Sequence, residues 1–215
     1  MKRLLPIVAI AAAAGCATAG FAASLNVSSW HLWAGSQTLA KTPCTVAGAA
    51  ADTFVNQASP TAANGGATTL DVLADGGSQR WAFLRFDLSS CAIPAGGGVD
   101  QATLRLYVTR PPARSFTLTL TRVVSSWTTG LTWNAAQSLS FAPSSTDQTA
   151  SGTSAGWVTF TVTGDVDDVV QGFSTNNGWY LTASGSTQNA NKDLIQLSSS
   201  SAGSNAPQLV LTYAS

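Results

Sequence analysis

The stretch RWAFLRFDLSS, residues 80–90, alternates so that one strand has two unlike faces. One face is typical of a hydrophobic core and carries Ala82, Leu84, Phe86 and Leu88. The other face has two aromatic rings, then a cation and an anion, in the order Trp81, Phe83, Arg85 and Asp87. Aromatic rings can stack on the apolar face of a sugar, and an Arg guanidinium binds oxygen atoms in a fork. The second face therefore has the chemistry of a ligand-binding surface.

A second strand, QATLRLYVTR at residues 101–110, repeats this arrangement. Its core face carries Ala102, Leu104, Leu106 and Val108, while the opposite face carries Thr103, Arg105, Tyr107 and Thr109. If the two strands are neighbours, their outward faces combine into one binding surface made of Trp81, Phe83, Arg85, Arg105 and Tyr107. The alternative is that the N-terminal segment buries the first two rings while Arg85 pairs with Asp87. The sequence leaves both interpretations open.

Two further tryptophans, Trp127 and Trp133 in SSWTTGLTWN, flank a turn. They predict either a binding site at a loop end or packing at a corner of the core. We favour packing, because large aromatic rings contribute most of their free energy when they are buried.

No group of residues in the sequence predicts an enzyme. The run GTSAG at residues 152–156 matches the G-x-S-x-G motif of hydrolases, but that motif needs a strand before it and a helix after it. Here a polar loop precedes Ser154 and a strand follows it. Glycosidases use paired carboxylates, and this chain has no Glu. The adjacent acids Asp165, Asp167 and Asp168 open a predicted helix, where capping and the helix dipole explain them.

The potential metal ligands are few. His31 is the only His, so the sequence cannot supply the three or four nitrogen and sulfur ligands of a typical zinc site. Calcium accepts carboxylate and amide oxygens, which makes Asp52, Asn56 and Asn64 candidate ligands near the first long loop. Solvated loop residues are the alternative interpretation of these three, and no other cofactor is predicted.

The N-terminus predicts export. Residues 1–22 combine a basic start, the apolar run LLPIVAIAAAA and small residues, which is typical of a secretory signal and too short for a membrane span. Lipid attachment at Cys16 is the alternative to a fully secreted, extracellular protein. Cleavage after Ala22 leaves Cys44 and Cys91, which we expect to form a disulfide in an oxidising compartment; two free thiols are the alternative.

The composition indicates many short strands. Charged residues are 9% of the chain, the formal net charge is zero, and there are 19 Gly. A neutral chain gives no electrostatic footprint for nucleic acid. Alternating segments joined by small-residue turns predict an all-β, antiparallel jelly-roll-type sandwich with at most one short helix, in DVDDVVQGF. Residues 136–156 read as a loop. We expect an extended arm at residues 23–46 and the sandwich at residues 47–215.

Several segments resemble a known family when they are taken in order. They are ADTFVNQASPTAANGGATTLDVLADG, RWAFLRFDLSS, AIPAGGGVDQATLRLYV, VVSSWTTGLTWNAAQ, NNGWYLTAS and PQLVLTY. Together they resemble the DNRLRE domain, which is also classed as carbohydrate-binding module family 96, over residues 47–215. The resemblance implies a secreted jelly-roll sandwich that binds polysaccharide.

This chain departs from the family pattern in two places. The run IQLSSSS, Ile195 to Ser201, stands where relatives carry an Arg- and Glu-containing run, and Val169 stands where they have a Trp. If the missing charges bind acidic sugars, that contact is lost here. We predict a secreted, non-catalytic carbohydrate-binding module. The alternative is a structural or surface-associated protein that self-associates through its apolar arm.

Overall fold

The computed structural model describes residues 40–74, 77–94, 96–185 and 189–214. Eleven strands account for most of the regular structure of this part. They are β1 Lys41–Ala47, β2 Ala51–Asn56, β3 Thr69–Val72, β4 Arg80–Arg85, β5 Val99–Arg110, β6 Thr117–Arg122, β7 Asp147–Ala150, β8 Gly156–Thr161, β9 Trp179–Ser184, β10 Ile195–Ser198 and β11 Gln208–Ala214. The α-helices are α1 Trp133–Ala136, α2 Thr163–Val170 and α3 Ala190–Asp193, and 3-10 turns occupy Leu88–Ser90 and Ser200–Ala202.

The strands form two antiparallel sheets. Sheet I has the order β1-β11-β5-β10-β3, with β8 also paired to β5, and sheet II has the order β2-β4-β9-β6-β7. The predicted all-β sandwich is therefore confirmed. The one helix longer than a single turn, among the described residues, is α2, where a short helix was predicted.

Two strands follow each other along one edge of β5. Leu197 of β10 lies opposite Val108, and Gln208 of β11 lies opposite Arg105. The residues between them, 199–207, leave the sheet as a loop and then return. This loop contains Ser199, Ser200 and Ser201 of the run that departs from the family pattern, and the Ser200 backbone N–H donates to the Asp52 carboxylate over 2.7 Å.

The main core lies between the sheets, and the alternation predicted for β4 and β5 is confirmed. Ala82, Leu84 and Phe86 are buried from one sheet, facing Leu104 and Leu106 from the other. Burial of such side chains stabilises by about 1.5–3 kcal/mol each. The largest fully buried members are Phe83, Phe86, Phe160, Leu70, Leu84, Leu104, Leu106, Leu118, Leu120, Leu181, Ile195 and Leu197, of which Phe83 belongs to a second cluster described below.

Three expectations need correction. The boundary at residue 47 cuts through β1, because Lys41–Ala47 pairs with β11 along its whole length. The predicted loop 136–156 contains β7, whose backbone pairs with β6. Its polar composition gave no sign of a strand. The helix starts at Thr163 with Val162 as its cap residue, so no Asp caps it.

The predicted disulfide is confirmed. Cys44 of β1 is bonded to Cys91, just after the turn that leaves β4, with their Cα atoms 5.7 Å apart. The bond therefore ties an outer strand of sheet I to the connection between the sheets. The predicted signal, Cys16, His31 and most of the predicted arm, residues 23–39, lie outside the described residues. In the described part, no helix is long and apolar enough to cross a membrane.

Candidate functional site

The predicted binding surface is divided between the two sides of the sandwich. Trp81, Phe83 and Arg85 belong to β4 of sheet II, whereas Arg105 and Tyr107 belong to β5 of sheet I. Both strands turn their apolar faces to the shared core, so their outward faces point in opposite directions. The expectation that the two strands are neighbours is wrong, because the connection after β4 crosses from one sheet to the other.

Sheet II has its own chain lying over part of its outer face. Residues 123–141, here called the cover segment, are closed at the base by a β-bridge between Val123 and Phe141. They are also joined to the β2–β3 loop, since the Asn134 N–H donates to the Pro60 carbonyl. Side chains of the cover segment and of sheet II together form a second buried cluster of Ala51, Val55, Phe83, Val123, Trp127, Leu131, Trp133 and Ala136. Trp127 and Trp133 are therefore packed at this corner, as favoured from the sequence.

Phe83 is inaccessible to a ligand. Its side chain has 0% exposure, with the Tyr180 and Trp127 rings 5.8 and 5.7 Å away between centroids. Trp81 is half-buried and lies 4.5 Å from the Trp133 ring and 5.9 Å from the Tyr180 ring. Among the described residues, the cover segment is what buries these rings. The alternative interpretation of the sequence assigned that role to the N-terminal segment.

The expected Arg85–Asp87 pair is replaced by two separate contacts. The Arg85 guanidinium lies 5.7 Å from the centroid of the Trp127 ring. Asp87 comes after the end of β4 and caps the following 3-10 turn, where its carboxylate accepts from the Ser89 backbone N–H over 2.9 Å. That hydrogen bond, with a further one from the Ser89 side chain, holds the pKa of the Asp87 carboxyl below its ordinary value.

The outer face of sheet I brings together the other two predicted residues and one that the sequence analysis missed. Tyr107 lies directly opposite Trp157 of β8, with ring centroids 5.3 Å apart and nearly perpendicular planes. The Arg105 guanidinium lies 4.6 Å from the centroid of the Trp157 ring. Its Nη1 also donates to Gln208 Oε1 of β11 over 3.1 Å. We call Arg105, Tyr107, Trp157 and Gln208 the Arg105 platform.

An open groove continues the Arg105 platform across the strands. It encloses about 360 Å³ and is lined by Gln101, Thr103, Arg105, Thr159, Val210, Leu211 and Thr212. The lining therefore combines hydroxyl, amide and guanidinium groups with the apolar side chain of Val210, while Leu211 belongs to the core. Within the described residues no carboxylate forms an ion pair with Arg105.

Trp157 had a detectable signal in the sequence. Val158, Phe160 and Val162 were predicted to face the core, so the strand's alternation turns Trp157 outward. Its position beside Arg105 depends on the pairing of β8 with β5, which periodicity within one segment does not specify.

The calcium candidates each have a contact of their own. Asp52 accepts from the Ser200 N–H, and Asn56 Oδ1 accepts from the Ala58 N–H over 3.0 Å. Asn64 Nδ2 donates to the Phe54 carbonyl over 2.8 Å. No group of three or more His, Cys, Asp or Glu in the described part of the chain could hold a metal ion.

The acids at the start of α2 join the helix to both sheets. The Asp165 carboxylate accepts from Thr146 Oγ1 over 2.6 Å and from Trp179 Nε1 over 2.7 Å. Asp167 accepts from the Val99 N–H over 2.9 Å, while Asp168 lies 3.5 Å from Arg122. These contacts give the three carboxylates a structural role. The strand β8 begins two residues after Ser154, where a hydrolase elbow needs a helix.

Comparison with known proteins agrees with this architecture. The sequence model of carbohydrate-binding module family 96 matches residues 44–213. Among curated proteins, none matches the chain. The family match runs from within β1 to β11, so it includes both sheets, the cover segment and the Arg105 platform.

Proposed function

Because the chain belongs to carbohydrate-binding module family 96, we propose that it is a secreted, non-catalytic module that binds an extracellular or cell-surface polysaccharide on the Arg105 platform. The observation that carries this proposal is the arrangement of Arg105, Tyr107 and Trp157 on an accessible sheet face. Two aromatic rings and a cation without a carboxylate partner lie there beside an open groove of about 360 Å³.

The chemistry of the platform suits a sugar chain. Trp157 and Tyr107 offer apolar surface to the ring faces of sugars, while the groove offers hydrogen-bonding groups to the hydroxyls that surround those rings. Neighbouring strands lie about 4.8 Å apart, so a chain that crosses the strands meets a new set of side chains at each one. The contacts of Arg105 with Trp157 and Gln208 restrain its guanidinium before a ligand arrives, which lowers the entropic cost of binding.

A non-catalytic role is supported by the positions of the acids. The carboxylates of Asp165 and Asp167 accept hydrogen bonds that join α2 to the sheets, and neither residue lines the groove of the Arg105 platform. The groove's lining contains no Asp, so it lacks the carboxylate pair that hydrolysis of a glycosidic bond would require.

The experiment is binding to a panel of neutral and acidic polysaccharides by affinity gel electrophoresis, using the disulfide-bonded protein. We expect Trp157→Ala and Arg105→Ala to weaken retardation by about tenfold or more, with little change in melting temperature. Arg110→Ala is the matched control, because Arg110 is an exposed cation on the same strand that donates to the Asn191 carbonyl, away from the platform. Unchanged retardation of the Trp157 and Arg105 variants, in gels that retard the native protein, would refute the platform as the binding surface.

A finer comparison separates charge from shape. Arg105→Lys keeps the positive charge but loses the planar fork and its stacking on Trp157. If the fork binds the sugar, this variant should bind nearly as weakly as Arg105→Ala. Retention of native affinity would instead mean that charge alone attracts the polysaccharide, and that contribution should then disappear at high salt.

A further inference from the structure

Two exposed apolar side chains lie together at a cleft that the Arg105 platform does not include. Val124 is 53% exposed and Phe173 is 81% exposed, and they are the exposed large hydrophobic residues of the described part of the chain. Both line a cleft of about 300 Å³ whose remaining walls are Arg122, Val123, Ser174 and Thr175. We call it the Phe173 cleft. These two exposed apolar side chains are therefore grouped at one cleft, and such grouping is one mark of an interaction site.

The backbone holds Phe173 firmly in this exposed position. α2 ends at Val170 with Gln171 as its cap residue, and Gly172 then lies in the left-handed region at φ 76° and forms a Schellman motif. The Gly172 N–H donates to the Val169 carbonyl, and the Phe173 N–H donates to the Asp168 carbonyl over 2.8 Å. In this motif the residue after the glycine commonly packs back on the last helical turn. Here the residue on that turn is Asp168, and the Phe173 ring faces solvent.

The opposite wall of the cleft is also fixed. Asn177 is buried, and its Nδ2 donates to the Val124 carbonyl over 2.6 Å. The Asn177 carbonyl in turn accepts from Trp127 Nε1 over 2.7 Å, which connects this wall to the second buried cluster. The two apolar walls therefore have restrained positions, and a ligand would find the cleft already formed.

The one cation at the cleft is outnumbered by the carboxylates that face it. Arg122 lies 3.6 Å from the Asp165 carboxylate and 3.5 Å from the Asp168 carboxylate, and it also donates to Ser174 Oγ. One cation facing two carboxylates leaves no positive charge for an anionic ligand. Arg105 differs, because no described acid pairs with it.

We propose that the Phe173 cleft is a second carbohydrate site, which binds one neutral sugar residue by stacking it on Phe173. Ser174 and Thr175 supply hydrogen-bonding groups for its hydroxyls, and Val124 closes the opposite side. The cleft shares no lining residue with the groove of the Arg105 platform. This proposal rests on the proposed function, and it adds a separate site with its own preference for uncharged sugar.

The test is an NMR titration of isotope-labelled protein with hexasaccharides of β-1,4-linked glucose, mannose and xylose, and with an oligouronate of the same length. We expect at least one neutral hexasaccharide to shift the backbone amides of residues 172–175, and the oligouronate to leave them unchanged. Phe173→Ala should weaken that response by about tenfold, while Phe173→Trp should retain it. Because Phe173 is 81% exposed, neither variant should change the melting temperature.

Trp157→Ala is the matched control at the Arg105 platform, and it should leave the response of the Phe173 cleft unchanged. If the platform responds to sugars while residues 172–175 never do, the second site is wrong and the proposed function stands. If neither region responds, both proposals fail. A concentration-dependent dimer in sedimentation that Phe173→Ala abolishes would assign the cleft to self-association and overturn the sugar site.

Discussion

The two outer faces of this sandwich carry similar residues and differ in what covers them. Sheet II has Arg85 over the Trp127 ring at 5.7 Å, and sheet I has Arg105 over the Trp157 ring at 4.6 Å. Trp127 is 5% exposed beside the fully buried Phe83, whereas Trp157 is half-buried at an open groove. The comparison teaches that aromatic and Arg residues on a strand do not by themselves identify a binding face.

The cover segment makes this difference. It lies over the sheet II aromatics, so the buried Phe83 and Trp127 rings stabilise the fold and are inaccessible to a ligand. On sheet I the corresponding rings keep exposed surface and pack outside both buried clusters. Substitutions of the same residue type should therefore act on stability at one face and on binding at the other.

The largest effect is expected for Phe83→Ala on the covered face. Removal of a fully buried Phe leaves a cavity under the cover segment, and we expect a loss of about 3–5 kcal/mol in the free energy of unfolding. Urea denaturation followed by Trp fluorescence measures this loss. Phe173→Ala is the matched control, and its urea midpoint should equal that of the native protein. A loss below about 1 kcal/mol for Phe83→Ala would mean that the cover is not part of the stable core.

Removal of the disulfide should have the second-largest effect on stability. It tests how much the bond from β1 to the connection after β4 contributes to the fold. The Cys44–Cys91 bond closes a loop with a sequence separation of 47, so its removal by a double Cys→Ala substitution should cost about 4 kcal/mol or somewhat less. Intact mass with and without reductant, together with thiol alkylation, verifies the bond first. Alkylation of both cysteines in unreduced protein would contradict the structure at this point.

Trp81→Ala sharpens the comparison, because Trp81 is the half-buried member of the sheet II cluster. It packs on Trp133 at 4.5 Å, so we expect a loss of about 2 kcal/mol in stability, smaller than that of Phe83→Ala. Polysaccharide affinity should remain native at a temperature where the variant is folded. Loss of affinity with native stability would show that the sheet II face binds sugar after all.

The smallest effect on stability is expected for Asp87, which caps the 3-10 turn after β4. Its pKa is lowered in the folded protein by the Ser89 hydrogen bonds, so its stabilising contribution is present above the unfolded pKa and is lost as pH falls through the lower, folded pKa. The melting temperatures of native protein and Asp87→Asn should therefore differ slightly at neutral pH and converge below about pH 4. A difference that grew on acidification would contradict this account, and binding should be unchanged throughout.

Much of the fold could be predicted from local patterns. Alternation identified the core faces of β4 and β5, and the absence of Glu with many small residues indicated an all-β chain. The strand β7 was missed because its polar side chains give no alternation, although its backbone pairs with β6. The predicted start of the sandwich at residue 47 lies at the end of β1. β1 has an exposed, weakly alternating sequence, and its strand structure comes from pairing with β11.

The candidate site could be predicted only in fragments. Arg105 and Tyr107 were identified from the alternation of β5, and Trp157 was not, although its own strand turned it outward. Phe83 was included because its residue type and outward direction fit a binding surface. Its burial depends on the cover segment, which begins 40 residues later in the chain.

The sequence by itself determined the class of fold, the direction of each core face and the cysteines that pair. These properties follow from periodicity within one strand and from the small number of cysteines, so they need no knowledge of strand order. The tertiary structure alone decided that β4 and β5 belong to opposite sheets, that the cover segment closes over sheet II, and that Trp157 meets Arg105. The physical reason is that strand pairing and covering contacts join residues far apart in sequence, and their free energy depends on the assembled sandwich rather than on local preference.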